Sequence, residues 1–371
     1  MKALRAGATG RDMQTMTIRE VKQAAATAPV TAAIHAQMDR VQVKPTKSGS
    51  EFLELKLLDA HDSFILRIWG DSPAFAQVRP WPAGTFLCVE GEWTSGQYGL
   101  EPKQWHLRLL EPEEKETLLG GPPELREKQE TDYTAITVMV DGLADPRLKA
   151  LCRLFLDEYG ARFRRTGGAR DYHHARRGGL VEHVAQMMRS ASALAEVYPG
   201  INRDLVLAGV LFHDSGKLWE NCYEKEGFSM PWSEPAELMG HIPLGIELVN
   251  RLWRQLMESP LAEEWQIQSL QPAGETVRLH LLHLVASHHG EYQFGSPTLP
   301  RTPEAALLHY VDNIDAKLEM YSESYATSPL VAPNIFERRR PLTTHSVRSL
   351  PVFVQSESGD TGSDDEFPAE V

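Results

Sequence analysis

Cysteine is scarce in this chain: three residues in 371, at positions 88, 152 and 222. They lie far apart and form no Cys-x-x-Cys pair, which argues against both a disulfide framework and a thiolate zinc site. Long apolar runs are missing too. No stretch approaches the roughly 20 residues of a membrane span, and the opening MKALRAGATGRDMQTM has no apolar core of the length a secretory signal needs. A cytoplasmic protein without a membrane partner is therefore expected. Positive charge is in short supply, with 38 Lys and Arg against 51 Asp and Glu, a formal net charge of −13. Taken whole, that balance argues against nucleic acid as a partner, but the excess is local. Residues 351–371 contribute −6 and residues 111–130 contribute −4, which leaves −3 for everything else. Within the remainder, ARFRRTGGARDYHHARRGG sets Arg162, Arg164, Arg165, Arg170, Arg176 and Arg177 against the single acid Asp171. Such a patch can meet phosphates, or can be a solvated loop.

What is present falls into segments. Residues 1–27 read as an N-terminal extension. Over 28–110 the apolar residues alternate with the two-residue period of strands: Leu53, Leu55 and Leu57 interleave with Glu54 and Lys56, then Phe64, Leu66 and Ile68 follow. About five strands result. DSPAFAQVRPW, between the third and fourth, opens like a capped helix and is stopped by Pro80 and Pro82. That order predicts a five-stranded β-barrel of the OB type, a fold that often binds single-stranded nucleic acid or sugars. Trp69, Trp93, Tyr98 and Trp105 can supply stacking platforms there, or can fill the barrel. Residues 111–131 read as an acidic linker. Over 132–324 the pattern turns helical, and 325–371 reads as a largely disordered acidic tail. The fold class is thus α+β in two domains, a barrel followed by an all-α domain.

The helical domain carries the chemistry. In GGLVEHVAQMMRSASALAEVY, His183 falls on the apolar stripe of Leu180, Val184 and Met187. RDLVLAGVLFHDSGK ends an apolar helix on His213 and Asp214, with Gly216 as the expected stop. ETVRLHLLHLVASHHG leads to His288 and His289 before Gly290. TPEAALLHYVDNIDAK puts Leu308, Val311, Asp312 and Asp315 on one helical face. One buried histidine is ordinarily a hydrogen-bonded core residue. Four helices repeating the pattern differ, because a buried unpaired carboxylate costs several kcal/mol unless something positive neutralises it. A divalent cation does so, and a set of imidazoles and carboxylates without thiolates suits zinc, manganese, iron or cobalt. It also leaves coordination positions for water, as hydrolytic sites require.

The order His183, His213-Asp214, Asp312 is similar to the H…HD…D signature of the HD phosphohydrolase superfamily. The words YHHARRGGLVEH, LFHDSGK, LMGHI and LVASHHGEYQFGSPTLPRTPEAALLHYVDNIDAK resemble the YhaM-type 3′-5′ exoribonucleases, in which an OB domain precedes an HD domain. Val184 departs from the pattern, which often has a small hydroxyl residue there. The resemblance implies a first ion among His183, His213, Asp214 and Asp312. Asp214 would bridge to a second held by His241, His288 and His289. Manganese is the first choice, with cobalt, iron and zinc as alternatives. Two ions about 3.5–4 Å apart can activate a water and brace the attacked phosphate. Asp214 and Lys217 would be catalytic, with Lys217 touching phosphate. His174 and Arg177 would hold the substrate backbone, and Trp69 and Trp93 would stack bases. The expected substrate is single-stranded RNA, with DNA and self-association left open. Two other readings stand beside it: a small-molecule nucleotide phosphohydrolase, and a nucleic-acid-binding protein whose helical domain is structural or regulatory. A cyclic-dinucleotide phosphodiesterase is disfavoured because GEYQFGSP after His289 lacks that subfamily's GYP signature.

Overall fold

The N-terminal alternation becomes a five-stranded antiparallel sheet. We describe the protein from a computed structural model covering residues 13–46, 49–60, 62–96, 99–170 and 174–353. Tyr98, Asp171 and most of the acidic tail lie outside these described residues. The strands β1 (Val30–Pro45), β2 (Glu51–Leu58), β3 (Ser63–Trp69), β4 (Phe86–Gly96) and β5 (Gly99–Leu109) are ordered β3-β2-β1-β4-β5. The 16-residue β1 is long enough to pair with β2 through one half and β4 through the other, with a bulge between Met38 and Arg40. Leu53, Leu55, Leu57, Phe64, Leu66 and Ile68 are all buried, as their alternation predicts. Among the described residues hydrogen bonding does not join β3 to β5, so the expected barrel is a sheet left open at that seam.

A short helix precedes the sheet and another interrupts it. Helix α1 (Ile18–Ala25) starts from a capping box between Thr17 and Glu20 and buries Ile18 and Val21 in the core of the sheet. Residues read as an extension outside the strand domain therefore contribute to its core. Helix α2 (Pro73–Val78) sits between β3 and β4, capped by Ser72.

The stretch expected as an acidic linker is helical. It forms α3 (Pro112–Gly120) and the start of α4 (Pro123–Asp141), which buries Asp132, Ile136 and Val140. Prolines at the first helical position and acids in the first turn favour a helix start, so the cues taken for a linker also serve as N-terminal signals. The rest of the helical domain is α5 (Pro146–Phe163), α6 (Gly179–Val197), α7 (Arg203–Phe212), α8 (Lys217–Glu220), α9 (Glu234–Met239), α10 (His241–Met257), α11 (Pro260–Ile267), α12 (Gly274–Ser287) and α13 (Pro303–Thr327). Helix α7 is central: every residue from Leu205 to Phe212 is buried, and it packs against α4, α5, α6 and α12. A helix apolar on all sides has no solvent face, so its C-terminal end opens into the interior of the domain. Among the described residues no helix is long and apolar enough to cross a membrane.

The described residues divide into two compact units, one running to Glu319 and the other starting at Met320. In the second, β6 (Leu330–Ala332) and β7 (Ile335–Phe336) pair as a hairpin, where the sequence suggested disorder. Tyr325 against Phe336, with ring centroids 5.1 Å apart, and Ser324 Oγ to Ser346 Oγ at 2.6 Å supply packing that composition alone does not reveal.

Candidate metal centre

Helix α7 delivers its last turn straight into the site. His213 is the C-cap residue in right-handed conformation, and the chain then tightens: the Ser215 amide donates to the Phe212 carbonyl and the Lys217 amide to the Asp214 carbonyl. In this turn His213 and Asp214 reach one point, their Nε2 and Oδ2 atoms 3.2 Å apart. Gly216 is not the left-handed stop expected of it, because its φ is −67°. A Cβ there would overlap the His241 carbonyl oxygen, so glycine is required for close approach and lets α10 begin against the turn. Gly290, at φ +77°, does end α12 as a left-handed residue.

Five imidazoles are fixed in one sense. His213 Nδ1 donates to the Val210 carbonyl at 2.7 Å, His288 Nδ1 to Val285 at 2.8 Å and His289 Nδ1 to Phe294 at 2.6 Å. His183 Nδ1 meets Asp315 Oδ2 at 2.7 Å and His241 Nδ1 meets Glu220 Oε2 at 2.9 Å. A carbonyl or carboxylate offers only lone pairs, so each Nδ1 carries a proton and Nε2 is the atom each ring can offer to a metal. This is the arrangement that outer hydrogen bonds give to metal-binding histidines.

The Nε2 atoms converge on Asp214 and Asp312. His183 Nε2 lies 3.3 Å from His213 Nε2, 3.3 Å from Asp312 Oδ1 and 3.8 Å from Asp214 Oδ2. On the other side of Asp214, its Oδ1 lies 3.6 Å from His241 Nε2 and 3.7 Å from His288 Nε2. Ligand atoms of His183, His213 and Asp214 fall within 4.8 Å of one another, as do those of His241, His288 and His289. Asp214 Oδ1, His241 Nε2 and His288 Nε2 are buried, and no hydrogen bond reaches any of them. Buried polar atoms without partners are costly, and three aimed together at separations too long for hydrogen bonds fit a cation that all three would bind. The donor set fits a divalent ion by geometry and by chemistry.

Electrostatics agree. Burial opposes the Asp214 charge, but Lys217, His213 and His241 outweigh it and hold the carboxyl well below its usual range. Burial likewise opposes a charge on His183, yet hydrogen bonds to Asp312 and Asp315 raise its pKa to about 10. A proton on His183 thus answers the negative charge of the carboxylates. His288 goes the other way, held neutral first by burial and then by His213.

A family model described as the HD domain matches residues 180–317, the span that holds all of these candidate ligands. The 3′-5′ exoribonuclease YhaM of Oceanobacillus iheyensis is 33% identical over 279 residues, 74% of this chain and 80% of that protein. The chain belongs to the YhaM family. The YhaM of Bacillus subtilis is 32% identical over 277 residues, covering 74% of this chain and 81% of its own length. The YhaM of a Geobacillus species is 30% identical over 273 residues, with shares of 74% and 78%. A metal-dependent hydrolase follows from a YhaM chain with an HD domain. The reading of the helical domain as merely structural is set aside by the same finding.

In this YhaM chain His183, His213, His241 and His288 all approach Asp214 oxygens, Asp312 lies beside His183 and His289 groups with His241 and His288, so the seven ligand candidates form one cluster. The residues expected to contact substrate fare differently. Lys217 Nζ donates to Asp214 Oδ2 at 2.6 Å and to the Gly168 carbonyl at 2.7 Å, which holds it inside the centre. His174 is buried, its Nε2 2.9 Å from the Asp315 oxygen that also meets His183, and so lies behind a ligand instead of in front of it. Arg177 donates to the backbone carbonyls of Glu224, Lys225 and Gly227, fixing a loop instead of a phosphate. Trp93 cannot stack on a base: it is fully buried in the sheet core and its Nε1 donates to the Ala32 carbonyl. Trp69 is half exposed against Phe52, with ring centroids 5.1 Å apart, and lines with Arg67 and Trp105 a cavity of about 690 Å³ at the open seam. Sequence reasoning missed Asp315 and Glu220 as supports. Asp315 shares a helical face with Asp312 three residues earlier, and Glu220 stands three residues after Lys217, so the signals were spacing and proximity to the ligands.

Proposed function

We propose that this chain removes nucleotides one at a time from the 3′ end of single-stranded RNA, with two divalent ions at the centre. The carrying observation is the convergence of three buried, unbonded ligand atoms, Asp214 Oδ1, His241 Nε2 and His288 Nε2, in a chain of the YhaM family. One ion would be held by His183, His213, Asp214 and Asp312, the other by Asp214, His241, His288 and His289, with manganese the first candidate. Bound there, divalent ions lower the pKa of water and neutralise charge that develops on a phosphoryl group.

The chain's own groups do the rest. Lys217 clamps Asp214 in the orientation that presents Oδ1 to one cluster and Oδ2 to the other. Asp315 and Glu220 fix the rings of His183 and His241. The seam cavity with Phe52, Trp69 and Trp105 offers aromatic surface beside Arg67, which suits unpaired bases on a phosphate backbone. Single-stranded DNA would fit the same features, and the cytoplasm is the compartment where such a substrate is met. Purified protein with manganese should shorten a 5′-labelled RNA stepwise, and Asp214→Ala should abolish the ladder while the protein stays folded by circular dichroism. Laddering that survives the substitution would reject the assigned centre.

A further inference from the structure

A large aromatic side chain stands exposed three contacts away from the centre. Trp232, in the loop between α8 and α9, is 73% exposed, so its indole adds little to the core. It is nonetheless held in place: the Arg170 guanidinium lies 4.0 Å from its ring centroid. Arg170 is in turn fixed by backbone carbonyls, donating to Met230, Pro231 and Glu220. Glu220 is the residue whose carboxylate holds His241 Nδ1. The same loop is pinned further back, where the Phe228 amide donates to Gln37 Oε1 at 2.7 Å and Arg177 grips the carbonyls before it. The indole is therefore presented on a rigid base.

We infer that Trp232, backed by Arg170, is a stacking platform for an unpaired nucleobase near the 3′ end of the bound strand. The inference rests on the exonuclease reading and adds a base subsite to it. With the guanidinium on one face and most of the residue exposed, the ring can offer its other face to a base, and every base has a π face to set against it, so the subsite accepts any base without reading its edge. Holding the last bases in this way would set the register of the strand against the centre, and would leave the bond-breaking groups untouched. Trp232 acts on binding, and its loss should appear in KM and Kd with kcat little changed.

The test compares wild type, Trp232→Ala and Trp232→Phe on two 5′-labelled single-stranded RNAs, one ordinary and one with abasic nucleotides at the last two 3′ positions. Kinetics with manganese are paired with the anisotropy of phosphorothioate versions that resist cleavage. Trp232→Ala should raise KM and Kd for the ordinary strand about tenfold, the size expected for the loss of one base stack, while Trp232→Phe recovers most of the loss. On the abasic strand wild type and Trp232→Ala should coincide. Equal losses on both strands, or no loss on either, would overturn the platform while the nuclease stands. Wild type that shortens neither strand would overturn the exonuclease reading, and the subsite with it.

Discussion

His241 Nε2 lies 3.6 Å from Asp214 Oδ1, and neither atom forms a hydrogen bond. Separately each would be a destabilising orphan; together with His288 they outline the face of a binding site. On the two-ion reading proposed above, His241→Ala should lower the bound metal from two ions per chain to one, as read by elemental analysis after dialysis against manganese. Two ions retained in the variant would remove His241 from the ligand set.

Asp315 accepts from both His183 and His174. Its replacement by alanine frees the His183 ring without touching any direct ligand. Metal affinity should fall by about 10–100-fold, the usual effect of removing an outer hydrogen bond to a ligand. Competition with a fluorescent chelator measures it, and an unchanged affinity would show that packing alone orients the ring.

The raised pKa of His183, about 10 without metal, makes binding pH-dependent. The ring is charged at neutral pH, whereas ligation needs a free lone pair on Nε2, so each ion bound at this position must displace a proton. Affinity is expected to increase as pH rises towards 10. Calorimetric titrations at pH 7 in buffers of different ionisation enthalpy should show net proton release, and His183→Ala should diminish it.

Glu182, adjacent to His183, turns away from the centre and is fully buried among Arg176, Gln129 and Lys128. Burial opposes its ionisation, but the Arg176 hydrogen bond and charge outweigh it and bring the pKa down to about 2. A folded-state value below the unfolded one stabilises the protein above the unfolded pKa, and that stabilisation is lost as pH falls from about 4.5 towards 2. Its full size is about 3 kcal/mol. Glu182→Gln should lower the melting temperature clearly at pH 7, and the gap from wild type should close as the pH is taken below 4.

Gly216 presses on the backbone at the start of α10. Gly216→Ala keeps an acceptable backbone conformation, since φ is −67°, and fails only by contact with His241. Both thermal stability and occupancy of the His241 cluster should drop. A variant with normal metal content would mean that α10 shifts freely.

Local pattern carried much of this molecule. The period-two leucines of β2 and β3 announced which side of the sheet is buried, and His183 on an apolar stripe announced an inward-facing imidazole. What stayed hidden depends on tertiary contact. Trp93 and Trp69 look alike in a string of letters, yet one is sealed in the core and the other rims the seam. Arg177 belongs to a basic cluster by composition, and only folding reveals that its fork is occupied by three carbonyls. Gly216 read as a helix terminator because that is the common use of glycine after a helix; the approach of a strand of backbone 25 residues later leaves no local trace. The open β3 to β5 seam is likewise a matter of closure geometry that alternation does not encode.

The side chain of Gln37, on the first strand of the sheet, accepts the amide of Phe228 in the loop that leads to α9, and Phe86 meets the Phe228 ring with centroids 6.5 Å apart. The sheet therefore acts as a strut for the helical portion as well as a surface of its own. An excised helical fragment would lose the fastening of the Phe228 segment, so it would not behave as the intact chain with one independent module removed. Truncation would remove this strut together with everything else the sheet does, whereas a substitution at Gln37 touches the strut alone.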